Sequence, residues 1–197
     1  MRRRIFLVCF GMIAGGVLLP RAHAQEGGTT GTFSVYQSQQ PQLPVSFEYP
    51  ADWQLEPSTG KVEAYTQVQI YGPASLDHRL RTYLVIRGVA PQSAGGRYAG
   101  LNEMVDSYRH TLQQGLQIDQ ELHVSVLGVP AIEVEVSGTF RLPWESPAAQ
   151  AVAVKSQRIF LEKNGRLYEL AWMATQEAAP EVEQVFSHLL HTLTVTP

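Results

Sequence analysis

The sequence predicts an α+β domain: a mainly antiparallel sheet of about six to seven strands with helices packed on its faces. Three observations carry this reading. Several short segments alternate apolar and polar residues, the period of a half-buried strand. Asn164-Gly165 joins two strand-forming runs, the strongest short-range hairpin signal. Two other segments repeat their apolar residues at helical spacing.

Val45, Phe47 and Tyr49 alternate with Ser46 and Glu48 as a first strand. Pro50 stops it, and Ala51-Asp52-Trp53 follows as a turn with an aromatic plug. Val62, Ala64, Thr66, Val68 and Ile70 line one face of a second strand, with Glu63, Tyr65, Gln67 and Gln69 on the other. Thr82 to Val89 is a third, rich in β-formers. A Gly/Ser/Ala connector runs from Pro91 to Gly100.

Leu101, Met104, Val105, Tyr108 and Leu112 then recur as one helix face, with Asn102 as N-cap and Gly115 as terminator. Leu122, Val124 and Val126 alternate again, and Gly128-Val129-Pro130 turns the chain. Ile132, Val134 and Val136 alternate with Glu133 and Glu135, a strand with one wet face. Leu142 to Ala149 reads as an insertion. Val152 to Lys163 and Arg166 to Met173 flank the Asn-Gly turn. A last helix starts near Pro180, which suits a first helical turn, and carries Val182, Val185, Phe186, Leu189 and Leu193 as its stripe. Hairpin links dominate, so the strands should pair antiparallel.

The N-terminal segment gives an address. Arg2, Arg3 and Arg4 precede an apolar run from Ile5 to Leu19, and Ala22-His23-Ala24 is a small-x-small cleavage site before Gln25. This is the layout of a secretory signal. The apolar run of about 15 residues is short against the roughly 20 that span a bilayer. Residues 1–24 are therefore expected to be a cleaved signal, 25–32 a loose leader and 33–197 one domain, periplasmic or secreted. Arg3-Arg4-Ile5-Phe6-Leu7 resembles the twin-arginine core of folded-protein export, while ordinary signals also carry arginine runs.

Cleavage removes four of the 15 basic residues and no acidic ones, leaving 11 against 18 and moving the formal charge from −3 to −7. An acidic domain offers no electrostatic footprint for nucleic acid or anionic membrane. The only cysteine, Cys9, leaves with the signal, so thiol chemistry and cysteine-ligated metals are excluded from the mature chain. No second apolar segment supports stable membrane insertion after cleavage.

Phe47-Glu48-Tyr49-Pro50-Ala51-Asp52-Trp53, Leu127-Gly128-Val129-Pro130-Ala131, the Asn164-Gly165 hairpin and the helix Val182 to Leu193 occur in this order. Together they resemble the PsbP-like fold family, which includes the extrinsic photosystem II protein PsbP and bacterial periplasmic DcrB-like relatives. The resemblance covers most of the chain from Thr32. It implies a sheet between helices, an α/β/α sandwich. It also implies no shared catalytic constellation, since members mostly bind other proteins or stabilise assemblies.

The chain holds no GxSxG elbow, phosphate-binding glycine loop or HExxH. Gly95-Gly96-Arg97-Tyr98-Ala99-Gly100 lacks dinucleotide spacing and reads as a connector. His188 and His191 share a helix face and would hold a metal only with a third ligand; a surface pair is expected. Asp106 and His110 are placed for a local helix contact. Glu133 and Glu135 share a strand side and read as a solvated face. Asp52 reads as a turn residue. No cofactor and no catalytic residue are expected.

The favoured functional residues are Arg141 and Trp144, in Arg141-Leu142-Pro143-Trp144-Glu145, because Trp and Arg on loops are interface anchors. Arg97 and Tyr98 are a weaker pair of the same kind. The leading expectation is an exported, non-enzymatic domain that binds or stabilises another envelope protein. The alternative is a small-ligand- or metal-binding protein or enzyme, with a pocket between sheet and helix. Polar residues converging in a deep pocket would favour the alternative.

Overall fold

The computed structural model describes residues 31–60, 65–75, 80–142 and 148–196. The predicted signal with its Ala24–Gln25 junction, most of the leader, and positions 62–64 of the second predicted strand lie outside these residues.

In chain order the elements are β1 (Phe33–Gln37), β2 (Val45–Pro50), β3 (Gln54–Gly60), β4 (Tyr65–Ala74) and β5 (Arg81–Val89). Then come α1 (Leu101–His110), β6 (Leu116–Val126), β7 (Val129–Leu142), β8 (Gln150–Lys163), β9 (Arg166–Thr175), α2 (Ala179–Thr192) and β10 (Thr194–Val195). Seven strands form one sheet in the order β3-β4-β5-β9-β8-β7-β6, and three form a second, β1-β2-β10. Every strand pairing is antiparallel. The α+β class and the predominance of antiparallel sheet are as the sequence predicts.

Local chemistry explains the hairpins. Asn164 and Gly165 both have positive φ, 53° and 69°, and Lys163 pairs with Arg166 across them. That is a two-residue turn whose twist matches the strands it joins. A similar turn joins β6 to β7, but at Leu127-Gly128 (φ 56° and 75°) rather than at Gly128-Val129-Pro130. Proline cannot adopt positive φ, so Val129 and Pro130 open β7 instead. Lys163 Nζ donates to the Leu127 carbonyl at 2.8 Å, tying the two hairpin ends together.

Four local expectations are corrected. The N-cap of α1 is Gly100, not Asn102, and no side chain caps the helix; Glu103 in the first turn accepts from the N–H of Ala99, the residue before the cap, at 2.6 Å. The helix ends at His110, and Gly115 turns the chain into β6 rather than ending α1. Arg141 and Leu142 are the last residues of β7, paired with Ala151 and Gln150, so the strand runs further than its pattern indicates. Strands β1, β3 and β10 were not anticipated; β10 is two residues long and β3 carries Pro57 and Gly60. Their existence depends on the neighbours they pair with.

The two faces of the seven-stranded sheet differ. One packs α2 and the small sheet in a continuous apolar core: Val68, Ile70, Leu84, Ile86, Leu170 and Trp172 meet Val182, Phe186 and Leu189 of α2 and Phe47 of β2. Trp53, the predicted plug, lies here at 8% exposure against Gly72. A Cβ at Gly72 would stand 2.7 Å from the indole ring, so only glycine permits this approach. The other face carries α1, which buries only Met104 and Val105. Its apolar residues fall into two separate clusters, one around Val89, Phe160 and Leu167 and one around Phe140, Val154 and Met173. What separates them is polar.

Candidate functional site

Strand register brings the polar residues together. Gln67 of β4 stands opposite Arg87 of β5, and Arg87 stands opposite Glu169 of β9. Arg158 of β8 faces Ala171, one pair further along the same sheet face. A period of two puts all four side chains on the α1 side. Glu169 belongs to β9, a central strand with an otherwise apolar sequence, and its side chain is only 4% exposed.

Both guanidinium groups converge on that carboxylate. Arg87 Nη1 donates to Glu169 Oε2 at 2.9 Å, and Arg158 Nη1 donates to Oε1. Arg87 Nε donates to Gln67 Oε1 at 2.9 Å, and Gln67 Nε2 donates in turn to Ser58 Oγ at 3.2 Å. Each guanidinium also lies over an aromatic ring, Arg87 over Tyr65 and Arg158 over Tyr108, both 4.7 Å from the centroid. Planar cations fixed by rings and forks lose little freedom when they bind. Arg158 Nε is buried and has no acceptor among the described residues.

These groups line a cavity of about 580 Å³ between the sheet and α1. Tyr83, Tyr108, Leu112, Leu116, Phe140 and Met173 supply much of the rest of its wall. Burial opposes the charge of Arg158, but Glu169, supported by Tyr108 and Tyr83, offsets it and holds the guanidinium pKa above its ordinary value. Burial also raises the hydroxyl pKa values of Tyr83 and Tyr108, with Arg158 acting against the rise. Arg158 therefore stays a cation, and Tyr83 and Tyr108 stay neutral hydroxyls, over a wide pH range. Glu169 accepts from two arginines, one at each carboxylate oxygen.

The predicted site residues divide. Arg97 and Tyr98 both line this cavity, with the Arg97 guanidinium 5.5 Å from the Tyr98 ring. Their connector is held in place: Gln92 N–H donates to the Tyr98 carbonyl at 2.7 Å and Pro91 bridges to Tyr98. Arg141 lies away from it at the end of β7, where Nη2 donates to the Ala149 carbonyl at 3.2 Å. Trp144 lies outside the described residues. His188 pairs with Glu48 Oε2 at 2.8 Å and stacks on Phe33, while His191 Nδ1 meets the Ser187 carbonyl. His110 touches the Asp106 backbone carbonyl, whereas the Asp106 carboxylate pairs with Arg109. Among the described residues no three His, Cys, Asp or Glu side chains are grouped to hold a metal ion. No described helix is long and apolar enough to cross a membrane.

Sequence reasoning passed over Arg87, Arg158 and Glu169. A signal was present: Arg87 and Glu169 interrupt the apolar runs Tyr83-Leu84-Val85-Ile86 and Leu167 to Trp172. A charge inside a central-strand pattern marks a buried partner or a site.

No family model matches this sequence, and no curated protein matches it. Solved structures do. A protein of unknown function from Pseudomonas aeruginosa, PA94, is 14% identical over 85% of this chain and 99% of its own, with a TM-score of 0.48. LpqN, involved in cell envelope biogenesis of Mycobacterium tuberculosis, is 14% identical over 84% of this chain and 91% of its own, at 0.49. The cyanobacterial PsbP of Synechocystis sp. PCC 6803 is 12% identical over 86% of this chain and 96% of its own, at 0.49. Structures with PsbP/DcrB-like folds are thus among those this chain is similar to. At these identities the likeness concerns the fold alone.

Proposed function

We propose that this chain is an exported, non-enzymatic binding domain whose binding site is the cavity under α1. One observation carries the reading: an inter-layer cavity of about 580 Å³ in which Arg87, Arg158 and Glu169 converge from three adjacent strands. Ligand sites are concave and mostly apolar, with a few convergent polar groups. Export rests on the basic, apolar and small-x-small segments of residues 1–24. The absence of catalysis rests on Glu169 being held by two arginines and on a described lining without histidine or cysteine.

The test is titration of the mature chain, residues 25–197, with the neutral dye Nile red. Saturable one-to-one binding that Ser107→Trp removes is expected, because Ser107 lines the cavity from α1. Unchanged dye binding in a folded Ser107→Trp variant would place the site elsewhere and sink the reading.

A second reading, recognition of a partner protein in the envelope, is favoured by β6. This strand is an edge of the sheet, and its Ile118 and Leu122 are 37% and 40% exposed. Edge strands present unpaired backbone groups that a partner strand can extend. Ile118→Lys and Leu122→Lys should abolish recovery of an envelope protein on the immobilised domain. Recovery that persists in the double variant would remove this reading and leave the cavity as the site.

A further inference from the structure

We infer that the cavity takes a ligand with a single carboxylate on an apolar body, and that Arg158 is the residue that recognises the carboxylate. The inference rests on the cavity being the binding site and adds its chemistry.

Charge is the first argument. The charged side chains of the described lining are Arg87, Arg97, Arg158 and Glu169. Leaving Arg97 aside, two arginines face one carboxylate, in a chain whose mature form carries a net negative charge. The inner group, Arg87, Glu169 and Arg158, has a net charge of +1. Burying an uncompensated cation is costly, and one further negative charge brings the group to neutrality.

The donors are the second. Each guanidinium carries five N–H groups and accepts nothing. Glu169 takes one bond from each arginine, and Gln67 takes the Nε of Arg87. Arg158 Nε finds no acceptor among the described residues. The Arg158 side chain as a whole is 20% exposed, and a guanidinium is the fork-shaped donor that pairs best with the two oxygens of a carboxylate.

The surroundings argue against a phosphate. The α1 residues at the cavity are Met104, Ser107 and Tyr108, followed by Thr111 at the C-cap. The cavity thus meets the middle and the C-terminal end of the helix, whose negative partial charge at the last turn opposes a doubly charged phosphate more than a singly charged carboxylate. Phosphates favour the opposite end, with its array of free N–H groups. The apolar body would lie along Leu112, Leu116, Phe140 and Met173.

The test compares 4-phenylbutyrate, its neutral counterpart 4-phenylbutanol, and 4-phenylbutylphosphonate on mature wild-type protein by calorimetry. The acid should bind about tenfold or more tightly than the alcohol, since a charge-assisted bond contributes on the order of a factor of ten. It should also bind more tightly than the phosphonate. Arg158→Gln, in which Arg87 still pairs with Glu169, should reduce the preference for acid over alcohol to near unity; Arg158→Lys should recover it only in part. Equal binding of acid and alcohol by the wild type overturns the carboxylate inference, as does tighter phosphonate binding. In each case Nile red binding stays intact and the cavity reading stands. Loss of dye, acid and alcohol binding together overturns both. If Arg158→Gln fails to fold, the wild-type comparison decides alone.

Discussion

The two faces of the seven-stranded sheet are built from the same strands and follow different rules. Under α2 the core is continuous, with Leu170, Trp172, Phe186 and Leu189 all below 2% exposure. Under α1 it is split, and two arginines and a glutamate occupy the divide. A sheet with alternate residues on opposite sides can assign one face to stability and the other to recognition. The α2 face buries one continuous apolar cluster. The α1 face gives up part of its apolar burial for a fixed, charged cavity. A domain of this size can tolerate that because the other face supplies the main core.

The largest expected effect comes from breaking the ionic group. Glu169→Ala leaves two guanidinium groups without their shared carboxylate and should destabilise the domain by about 3–5 kcal/mol. Urea unfolding of variant and wild type measures this; a loss below about 1 kcal/mol would mean that water reaches the arginines easily.

Replacing the whole group sharpens the contrast. Arg87→Met, Glu169→Leu and Arg158→Met together should be neutral or stabilising by about 1–4 kcal/mol, because an apolar cluster avoids the desolvation of three charges. The same variant should lose its preference for carboxylate over alcohol. Marked destabilisation of the triple variant would show that the charges serve folding.

Adding volume separates the faces directly. Gly72→Ala drives a methyl group into Trp53 on the dense side and should cost about 1–3 kcal/mol. Thr111→Leu adds volume at the cavity wall and should stay within about 0.5 kcal/mol of wild type. Thermal melts of the two variants make the comparison, and equal losses would erase the distinction between the faces.

The smallest effect concerns how α1 is tethered. Arg109 forks onto Glu121 of β6, with Nε to Oε2 at 3.0 Å and Nη2 to Oε1 at 2.5 Å. The group is well exposed, so Arg109→Ala should cost about 0.2–1 kcal/mol, less at high salt. A loss unchanged between low and high salt would point to packing of the arginine stem instead.

Much of this fold is legible because local rules act alone at those positions. Asn164-Gly165 turns the chain through its own backbone preferences. Val68 and Ile70, and Ile132, Val134 and Val136, alternate because one face of the strand must be dry. Pro180 and the stripe from Val182 to Leu193 mark α2 for the same reason. Where expectation and structure part, a neighbour intervened. The N-cap of α1 falls on Gly100, which has no side chain to offer, and Glu103 instead holds the Ala99 N–H of the connector that leads into the helix. The ends of β7 and the short β10 exist because β8 and β2 are beside them.

The candidate site was half legible. Arg97 and Tyr98 were visible as a cation and an aromatic ring on a connector, and they line the cavity. Arg87, Arg158 and Glu169 were visible only as charges in the wrong phase of apolar strands. The sequence by itself determined the strand and helix periods and the hairpin turns, and it carries the basic, apolar and small-x-small pattern of residues 1–24 on which the proposal of export rests. All of these depend on residues close together along the chain. Tertiary structure alone decided that Arg87 meets Glu169 82 residues later, and that Arg158 joins them from the next strand. Strand order and register set that meeting, and both follow from burying the whole apolar surface at once, which no local pattern records.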